Sequence, residues 1–231
     1  MLRPAPDARE LVAALVHDLR NPLAALAGNL ALLREELGAV ELPDPAARCL
    51  DDADALTARA LALVSNLIDA DALARGALEA RRAPARLGAE VDAALATVAA
   101  ELASRALIVE RAYADDLVAD IDAWLLRRVL GCLFDNAVRY APRGGRVVVR
   151  AAHAGAELEL AVGNTGPALT DAERARLFER DYRSAERAAG ARRGRGLGLY
   201  FCRLVAEAHG GTIAAGPGAE LPVEFVLRLP A

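Results

Sequence analysis

Apolar residues recur at helical spacing along the first 38 residues of this chain, and no other feature restricts its fold as strongly. Successive residues of an α-helix differ by about 100° in direction, so residues three, four and seven apart share one face. One such face is almost entirely aliphatic and comprises Leu11, Leu15, Leu19, Pro22, Leu26, Leu30, Leu33 and Leu37. The pattern predicts one long helix over 8–38, kinked at Pro22 because proline lacks the backbone donor.

A second amphipathic segment over 46–79 follows a proline-containing turn at 41–45. Its broad apolar face comprises Leu50, Ala53, Thr57, Ala60, Leu61, Val64, Leu67 and Ile68. Two long helices joined by a short turn form an antiparallel hairpin. Because a lone hairpin of this length leaves one apolar stripe uncovered, we expect two copies to pair as a four-helix bundle in a homodimer.

The helical pattern breaks at Arg81-Arg82-Ala83-Pro84, and a different pattern follows. We therefore predict a first domain at 1–80, a linker at 81–86 and a second domain at 87–231. In the second domain, apolar periodicity predicts helices over 87–104, 123–140, 171–178 and 196–209, and strands over 108–112, 117–121, 146–153, 157–164, 212–215 and 223–229. This order is typical of an α+β layer, with helices on one face of a mixed sheet.

Composition excludes several classes of function. The net charge is −4, so the chain as a whole has no basic surface for nucleic acid. No apolar run reaches the roughly 20 residues that span a bilayer, and the N-terminus does not resemble a signal peptide, so we expect a cytoplasmic protein without a membrane segment. The cysteines, Cys49, Cys132 and Cys202, lack metal-ligand spacing and are predicted to be buried free thiols.

A histidine, an acid and an amide lie close together on the predicted first helix, in the run His17-Asp18-Leu19-Arg20-Asn21. His17 lies opposite the apolar stripe, and Asn21, one turn further, points nearly the same way. A histidine displayed there is poorly placed for packing and well placed to act as a nucleophile.

Short motifs occur in a fixed order in the second domain. They are Phe134–Tyr140, Asn164–Pro167, Leu177–Arg183 and Gly194–Leu199. The last has a direct physical interpretation, because glycines at a helix N-terminus let backbone N–H groups approach phosphates, and the helix dipole favours negative charge there. A Gly-x-Gly-x-Gly pattern alone is weak evidence, whereas the ordered set is specific.

On these motifs, the chain resembles the catalytic core of bacterial two-component sensor histidine kinases. The segment His17–Leu23 is similar to the H box of the dimerisation and histidine-phosphotransfer domain. The four motifs of the second domain resemble, in order, the N, G1, F and G2 boxes of the ATP-binding domain shared with gyrase, and His209-Gly210-Gly211 fits the family's ending. The resemblance implies a dimeric helical hairpin followed by an α/β-sandwich domain of the Bergerat (GHKL) type.

The resemblance also implies an activity: ATP-dependent autophosphorylation of His17, then phosphoryl transfer to an aspartate in the receiver domain of a response regulator. Asp18 would be the base that polarises the imidazole, and Asn21 would orient a water in phosphatase-competent members. Asn136 would bind Mg²⁺ through its amide oxygen. Further contacts to ATP would come from Arg139, Tyr140, Asn164, Gly166, Arg183, Gly194, Gly196, Leu197, Gly198 and Leu199.

The chain departs from the family pattern at three positions. Asn164 stands where the family has an aspartate that accepts a hydrogen bond from adenine, so that bond loses its charge assistance, at about 1 kcal/mol. Ala168 replaces a glycine, at roughly 1–2 kcal/mol if the position requires positive φ. Cys132 stands where the N box opens with asparagine, which puts one phosphate-side contact in doubt. We therefore expect an active kinase with a modified nucleotide pocket.

Other functions agree with part of the sequence. A histidine phosphotransfer adaptor with a degenerate ATP domain would carry phosphate on His17 without using ATP. A phosphatase-dominant partner of a response regulator would depend on Asn21 more than on Asp18. A non-kinase ATPase of the same superfamily leaves His17 and the hairpin unexplained. Because His17 lies close to Met1 and no sensor segment is recognisable, we expect either a separate sensor protein or a core excised from a longer chain.

Overall fold

Two long helices form the first of the two units, 1–71 and 72–231, into which the chain divides. Helix α1 spans Ala8–Leu37, and α2 spans Asp44–Ala74, ending before the predicted residue 79. The computed structural model describes residues 8–38, 40, 42–182 and 197–230, and the side chains of residues 8–15, 17 and 59 lie outside this description. None of the described helices is long and apolar enough to cross a lipid bilayer.

The turn between α1 and α2 is held by a glycine and an arginine. Gly38 has φ of +47° and donates its N–H to the Arg34 carbonyl at 3.0 Å, which ends α1. The Arg34 guanidinium binds the carboxylates of both Asp51 and Asp54 on α2. Because the last turn of α1 is thereby tied to the first turns of α2, the two helices form the predicted antiparallel hairpin.

The apolar faces of the hairpin differ in how far they are covered. Every residue of the predicted α2 face is buried or half-buried. On α1, by contrast, Leu19, Leu26 and Leu33 are 54%, 46% and 46% exposed, and the side chains of Leu11 and Leu15 lie outside the described residues. The single chain therefore leaves this part of the α1 stripe open to solvent.

The second unit is an α/β sandwich. Its elements, in chain order, are β1 (Ala83–Arg86), α3 (Leu87–Ala96), α4 (Ala99–Ser104), β2 (Ile108–Ala112), β3 (Val118–Ile121), α5 (Ala123–Tyr140), β4 (Arg146–Ala154), β5 (Glu157–Asn164), α6 (Asp171–Arg176), α7 (Leu197–Ala208), β6 (Thr212–Gly216) and β7 (Val223–Pro230). The main sheet has the order β2-β4-β5-β7-β6, and β1 pairs separately with β3. Since β2 is parallel to β4 and the other pairs are antiparallel, the sheet is mixed, as predicted.

Two details of the second unit differ from the sequence prediction. The segment 81–86, predicted as a linker, contains β1, whose residues pair antiparallel with Val118–Ile121. The helix predicted over 87–104 is interrupted at Thr97, whose hydroxyl donates to the Ala94 carbonyl at 2.7 Å. A threonine that binds the preceding turn in this way competes with the backbone hydrogen bonds that would continue the helix.

The core of the second unit lies between the sheet and the helices. Helix α5 lies between α3 and α7, and both α5 and α7 pack on the sheet. The largest fully buried side chains include Leu87, Leu125, Leu130, Leu133, Phe134, Leu158, Phe201, Phe225 and Leu227. The Asp122 carboxylate caps α5 by accepting the N–H of Leu125 at 3.0 Å. Each buried side chain contributes about 1.5–3 kcal/mol, so this packing holds α5 firmly in place.

A buried histidine joins the end of α7 to the start of α5. The Asp122 N–H donates to Nε2 of His209 at 3.0 Å, and Nδ1 of His209 lies 2.8 Å from the Val205 carbonyl oxygen. Because Nε2 accepts, Nδ1 carries the proton and donates, so the imidazole is neutral in this arrangement.

Replacing His209 by alanine should lower the free energy of unfolding by about 1–3 kcal/mol, because the Asp122 N–H loses its acceptor. Urea denaturation followed by circular dichroism measures the change. The exposed His153 provides the control, and His153→Ala should change the free energy of unfolding by less than about 0.5 kcal/mol. Equal effects of the two substitutions would contradict the role of His209.

The cysteines differ in exposure. All three are free thiols, but Cys49 is exposed and Cys132 is half-buried, so the prediction of buried thiols is confirmed only for Cys202. Burial raises the pKa of the Cys202 thiol well above its usual value. Because the thiolate is the reactive form, Cys202 is a packing residue of the core.

Candidate functional site

Residues from three of the predicted motifs lie next to one another along α5. A Cβ atom on Gly166, in the turn after β5, would lie 3.1 Å from the carbonyl oxygen of Tyr140. A Cβ atom on Gly198, in the first turn of α7, would lie 3.6 Å from Sγ of Cys132. Helix α5 therefore borders both the turn after β5 and the start of α7, which brings together three stretches that are far apart in the sequence.

The turn after β5 leaves little room for a side chain at position 166. A Cβ atom there would approach Nδ2 of Asn164 to 2.9 Å as well as the Tyr140 carbonyl. Close approach thus favours glycine at this position.

The side chain of Asn164 is oriented by the backbone that follows it. Asn164 is 3% exposed, and its Nδ2 donates to the Thr165 carbonyl at 3.0 Å. Because this bond uses the amide N–H, the side-chain oxygen is the atom suited to accept a hydrogen bond from a ligand. Asn164 can therefore supply the acceptor that the family's aspartate supplies, without its charge.

Helix α5 presents three of the predicted site residues on its last turns. Asn136, Arg139 and Tyr140 are each half-buried, so they are accessible to a ligand. Nη2 of Arg139 donates to the Asp135 carboxylate at 2.7 Å, and its buried Nε has no hydrogen-bond partner among the described residues. Asp135 was not among the site residues predicted from the sequence. A carboxylate four residues before an arginine on a helix is nevertheless a recognisable pairing signal.

Ala168 carries no backbone strain. Among the described residues other than glycine, positive φ occurs only at Ala106 and Asp181. The glycine-to-alanine replacement at 168 therefore lacks the cost of 1–2 kcal/mol that positive φ would impose.

The third motif is anchored to the sheet by an aromatic contact. Helix α6 opens with a capping box in which the Thr170 N–H donates to the Glu173 carboxylate at 2.8 Å. Phe178, which follows α6, meets Phe225 of β7 edge-on with ring centroids 6.4 Å apart. The predicted site residue Arg183 at the end of this motif lies outside the described residues.

The fourth motif is described only in part. Gly194 and Gly196 lie outside the described residues, whereas Leu197 is buried and Gly198 and Leu199 are half-buried. These three residues form the first turn of α7. The free N–H groups of a helix's first turn attract anions, so this turn is suited to bind phosphate.

The predicted phospho-acceptor motif lies on α1, which continues through Pro22. The side chain of Asn21 is exposed, as the sequence predicted, and that of Asp18 is exposed too. The side chain of His17 lies outside the described residues. Val16, beside His17, is buried. The motif therefore combines an exposed polar side with a covered apolar neighbour.

Comparison with known proteins assigns both units. Residues 7–76 match the His Kinase A (phospho-acceptor) domain, and residues 121–231 match the histidine kinase-, DNA gyrase B- and HSP90-like ATPase domain. The signal transduction histidine-protein kinase/phosphatase MprB of Mycobacterium sp. (strain KMS) is 34% identical over 252 residues, covering 100% of this chain and 46% of MprB.

Solved structures agree with this assignment at the level of the fold. Full-length ShkA in complex with AMPPNP has a TM-score of 0.68 at 24% identity, over 96% of this chain and 45% of ShkA. The histidine kinase ThkA, in complex with the response regulator protein TrrA, has a TM-score of 0.59 at 17% identity, over 96% of this chain and 61% of ThkA.

A phospho-acceptor hairpin followed by an ATPase-type sandwich is the arrangement of a histidine kinase catalytic core. The chain belongs to the sensor histidine kinases and comprises that core. It spans about half the length of MprB.

Proposed function

We propose that this protein uses ATP to phosphorylate His17 and passes the phosphoryl group to an aspartate in the receiver domain of a response regulator. The observation that carries the proposal is that Gly166 and Gly198 both lie against α5, the helix that carries Asn136. These residues come from three separate motifs that the family uses for ATP. The exposed Asp18 and Asn21 beside His17 on α1 support the acceptor assignment.

In this proposal, the nucleotide is bound from three sides. The side-chain oxygen of Asn164 accepts a hydrogen bond from the adenine amino group. The N-terminal turn of α7 donates backbone N–H groups to the phosphates. The amide oxygen of Asn136 would hold Mg²⁺, because this ion prefers oxygen ligands. The ion would neutralise phosphate charge during transfer.

Transfer to His17 requires little covalent chemistry from the protein. One imidazole nitrogen attacks the γ-phosphorus, a P–N bond forms, and the bond from that phosphorus to the leaving ADP oxygen breaks. Asp18 accepts the hydrogen bond of the other ring nitrogen and so keeps the attacking nitrogen unprotonated. A base positioned in this way is typically worth 10²–10⁴-fold in rate.

The face of α1 near His17 leaves room for another protein. Ala24, Ala25 and Gly28 are small, and a Cβ atom on Gly28 would have nothing within 4 Å. A receiver domain could therefore approach His17 closely. The complex of ThkA with its response regulator supports this choice of partner.

The proposed test is incubation of the purified protein with γ-³²P-ATP and Mg²⁺, beside His17→Ala. We expect an acid-labile, alkali-stable label on the wild type only. A folded wild-type protein that takes no label would refute the kinase, and if it also binds no ATP the result favours the phosphotransfer adaptor. Label on both proteins would refute His17 as the acceptor.

We further propose that two copies of the chain form a homodimer through the exposed part of the α1 stripe. Leu19, Leu26 and Leu33 recur every seven residues, the spacing at which helices pack side by side. On α2, Leu56 and Leu63 are also exposed and have the same spacing. Pairing two hairpins would bury both rows.

The double substitution Leu26→Asp with Leu33→Asp should raise the dimer dissociation constant by about 100-fold or more, because each buried leucine contributes roughly 1.5–3 kcal/mol. Sedimentation velocity over a concentration series measures it. Leu32→Asp is the matched control, since Leu32 is also exposed but lies about 100° from Leu33 around the helix. A double variant that remains dimeric would contradict this interface.

A phosphatase activity is the second candidate. MprB is named as a kinase/phosphatase, and Asn21 is exposed one turn after His17. Asn21→Ala should abolish dephosphorylation of a phosphorylated receiver while autophosphorylation persists. Asp18→Ala should abolish autophosphorylation while dephosphorylation of the receiver persists. If the two variants lost both activities together, neither residue would have a separate role.

A further inference from the structure

Arg105 belongs to none of the sequence motifs, yet its guanidinium binds the end of the helix that carries the candidate nucleotide residues. Its Nη1 donates to the carbonyl oxygens of Val138 and, at 3.2 Å, of Arg139. Its Nη2 donates to the carbonyl oxygen of Ala141 at 2.8 Å. One side chain therefore holds three of the four carbonyl groups from 138 to 141, at the C-terminal end of α5.

Helix termini make these contacts valuable. The last four carbonyl groups of a helix have no partner within the helix and carry its negative dipole end. The planar guanidinium offers donors in a fixed fork and a permanent positive charge. Arg105 thus satisfies carbonyls that would otherwise be free to move, and it complements their charge.

The backbone around Arg105 is tied to the same region. The Gly144 N–H donates to the Arg105 carbonyl at 2.9 Å, and Arg143 Nη1 donates to the Ser104 carbonyl at 2.9 Å. The Ile108 N–H then donates to the Gly145 carbonyl at 2.9 Å, where the parallel pairing of β2 with β4 begins. The guanidinium is therefore presented from a rigid base.

The end of α5 also borders the turn after β5, which holds the proposed adenine-binding residue Asn164. The Tyr140 carbonyl is so close to Gly166 that a Cβ there would lie only 3.1 Å away. Asn164 lies two residues before Gly166, and its side-chain amide is oriented by the Thr165 carbonyl. A small shift of the last turn of α5 would therefore displace Arg139 and Tyr140 and disturb the turn that holds Asn164.

We infer that Arg105 is a positioning residue for ATP: it fixes the last turn of α5 and, through it, the nucleotide-facing residues of α5 and the turn after β5. Arg105 acts through the main chain of these residues. The inference rests on the proposed function, since it assigns to that nucleotide site a residue that supports it.

The test compares Arg105→Ala, Arg105→Lys and Arg143→Ala in the full chain. The dissociation constant for ATP with Mg²⁺ is measured by isothermal titration calorimetry well below the melting temperature of every variant. We expect Arg105→Ala to weaken ATP binding by on the order of tenfold. Arg105→Lys keeps the positive charge but loses the forked donors of the guanidinium, so its dissociation constant for ATP should lie between those of the wild type and Arg105→Ala. Arg143→Ala removes the hydrogen bond to the Ser104 carbonyl but none of the Arg105 contacts with α5. Its dissociation constant for ATP should stay within about twofold of the wild-type value.

A second readout separates positioning from a purely structural role. In autophosphorylation, Arg105→Ala should raise the KM for ATP about tenfold and leave the rate at saturating ATP within about threefold. Should the alanine variant not fold, Arg105→Lys carries the same comparison. An Arg105 variant that melts earlier but binds ATP within twofold of wild type would overturn the inference. A wild-type protein that binds no ATP would instead refute the proposed function, and the inference with it.

Discussion

Asn136→Ala should lower the rate of autophosphorylation by about 100-fold or more while the protein remains folded. In the proposed mechanism, the amide oxygen of Asn136 is the protein's ligand for the magnesium that neutralises the phosphates. The side chain is half-buried on α5, and alanine is the best helix former, so the fold loses little. Initial rates of label incorporation measure the effect, and circular dichroism verifies the fold.

Asn136→Asp provides a matched comparison, because it retains an oxygen at the same place. We expect this variant to keep more activity than Asn136→Ala at millimolar Mg²⁺, since carboxylate oxygens also bind magnesium. An alanine variant with wild-type rate and wild-type affinity for magnesium-ATP would show that Asn136 is not the metal ligand.

Gly211→Ala should lower the free energy of unfolding by about 3 kcal/mol, toward the upper end of what overpacking costs. Gly211 precedes β6, and an added Cβ would collide with the carbonyl oxygen of Arg228 on β7 and approach Cδ2 of Leu229 to 2.9 Å. A backbone oxygen within a paired strand cannot move aside, so the β6–β7 pairing has to shift.

Gly131→Ala is the control for this substitution. Gly131 lies within α5, where an added Cβ meets nothing within 4 Å, so alanine should stabilise the protein by about 0.5–1 kcal/mol. Urea denaturation followed by the fluorescence of the single tryptophan, Trp124, measures both variants. A Gly211→Ala protein as stable as wild type would contradict the close approach.

The elements that the sequence predicted well are those whose signal is local. The bounds predicted for α5 and β5 agree with the structure because each carries its own apolar periodicity. Strand β1 was missed because Ala-Pro-Ala-Arg has no strand signal of its own. It is a strand because Val118–Ile121 lies beside it, and such pairing depends on the rest of the fold.

The candidate site divides in the same way. Asn136, Asn164, Gly166 and Gly198 could be selected from the sequence because each lies in a recognisable motif. The orientation of the Asn164 amide could not be predicted from the sequence, because it follows from a contact with the Thr165 carbonyl in the folded turn.

By itself, the sequence determined the two amphipathic helices, the α+β character of the second unit and the identity of the motif residues, since periodicity and short motifs are properties of neighbouring residues. Only the tertiary structure decided that α5 borders both Gly166 and Gly198, and that Arg105 holds the end of α5. Arg105 and Val138 are 33 residues apart, and their contact arises only after the sheet and helices have packed. The pattern of residues within one segment cannot predict a contact between residues so far apart in the sequence.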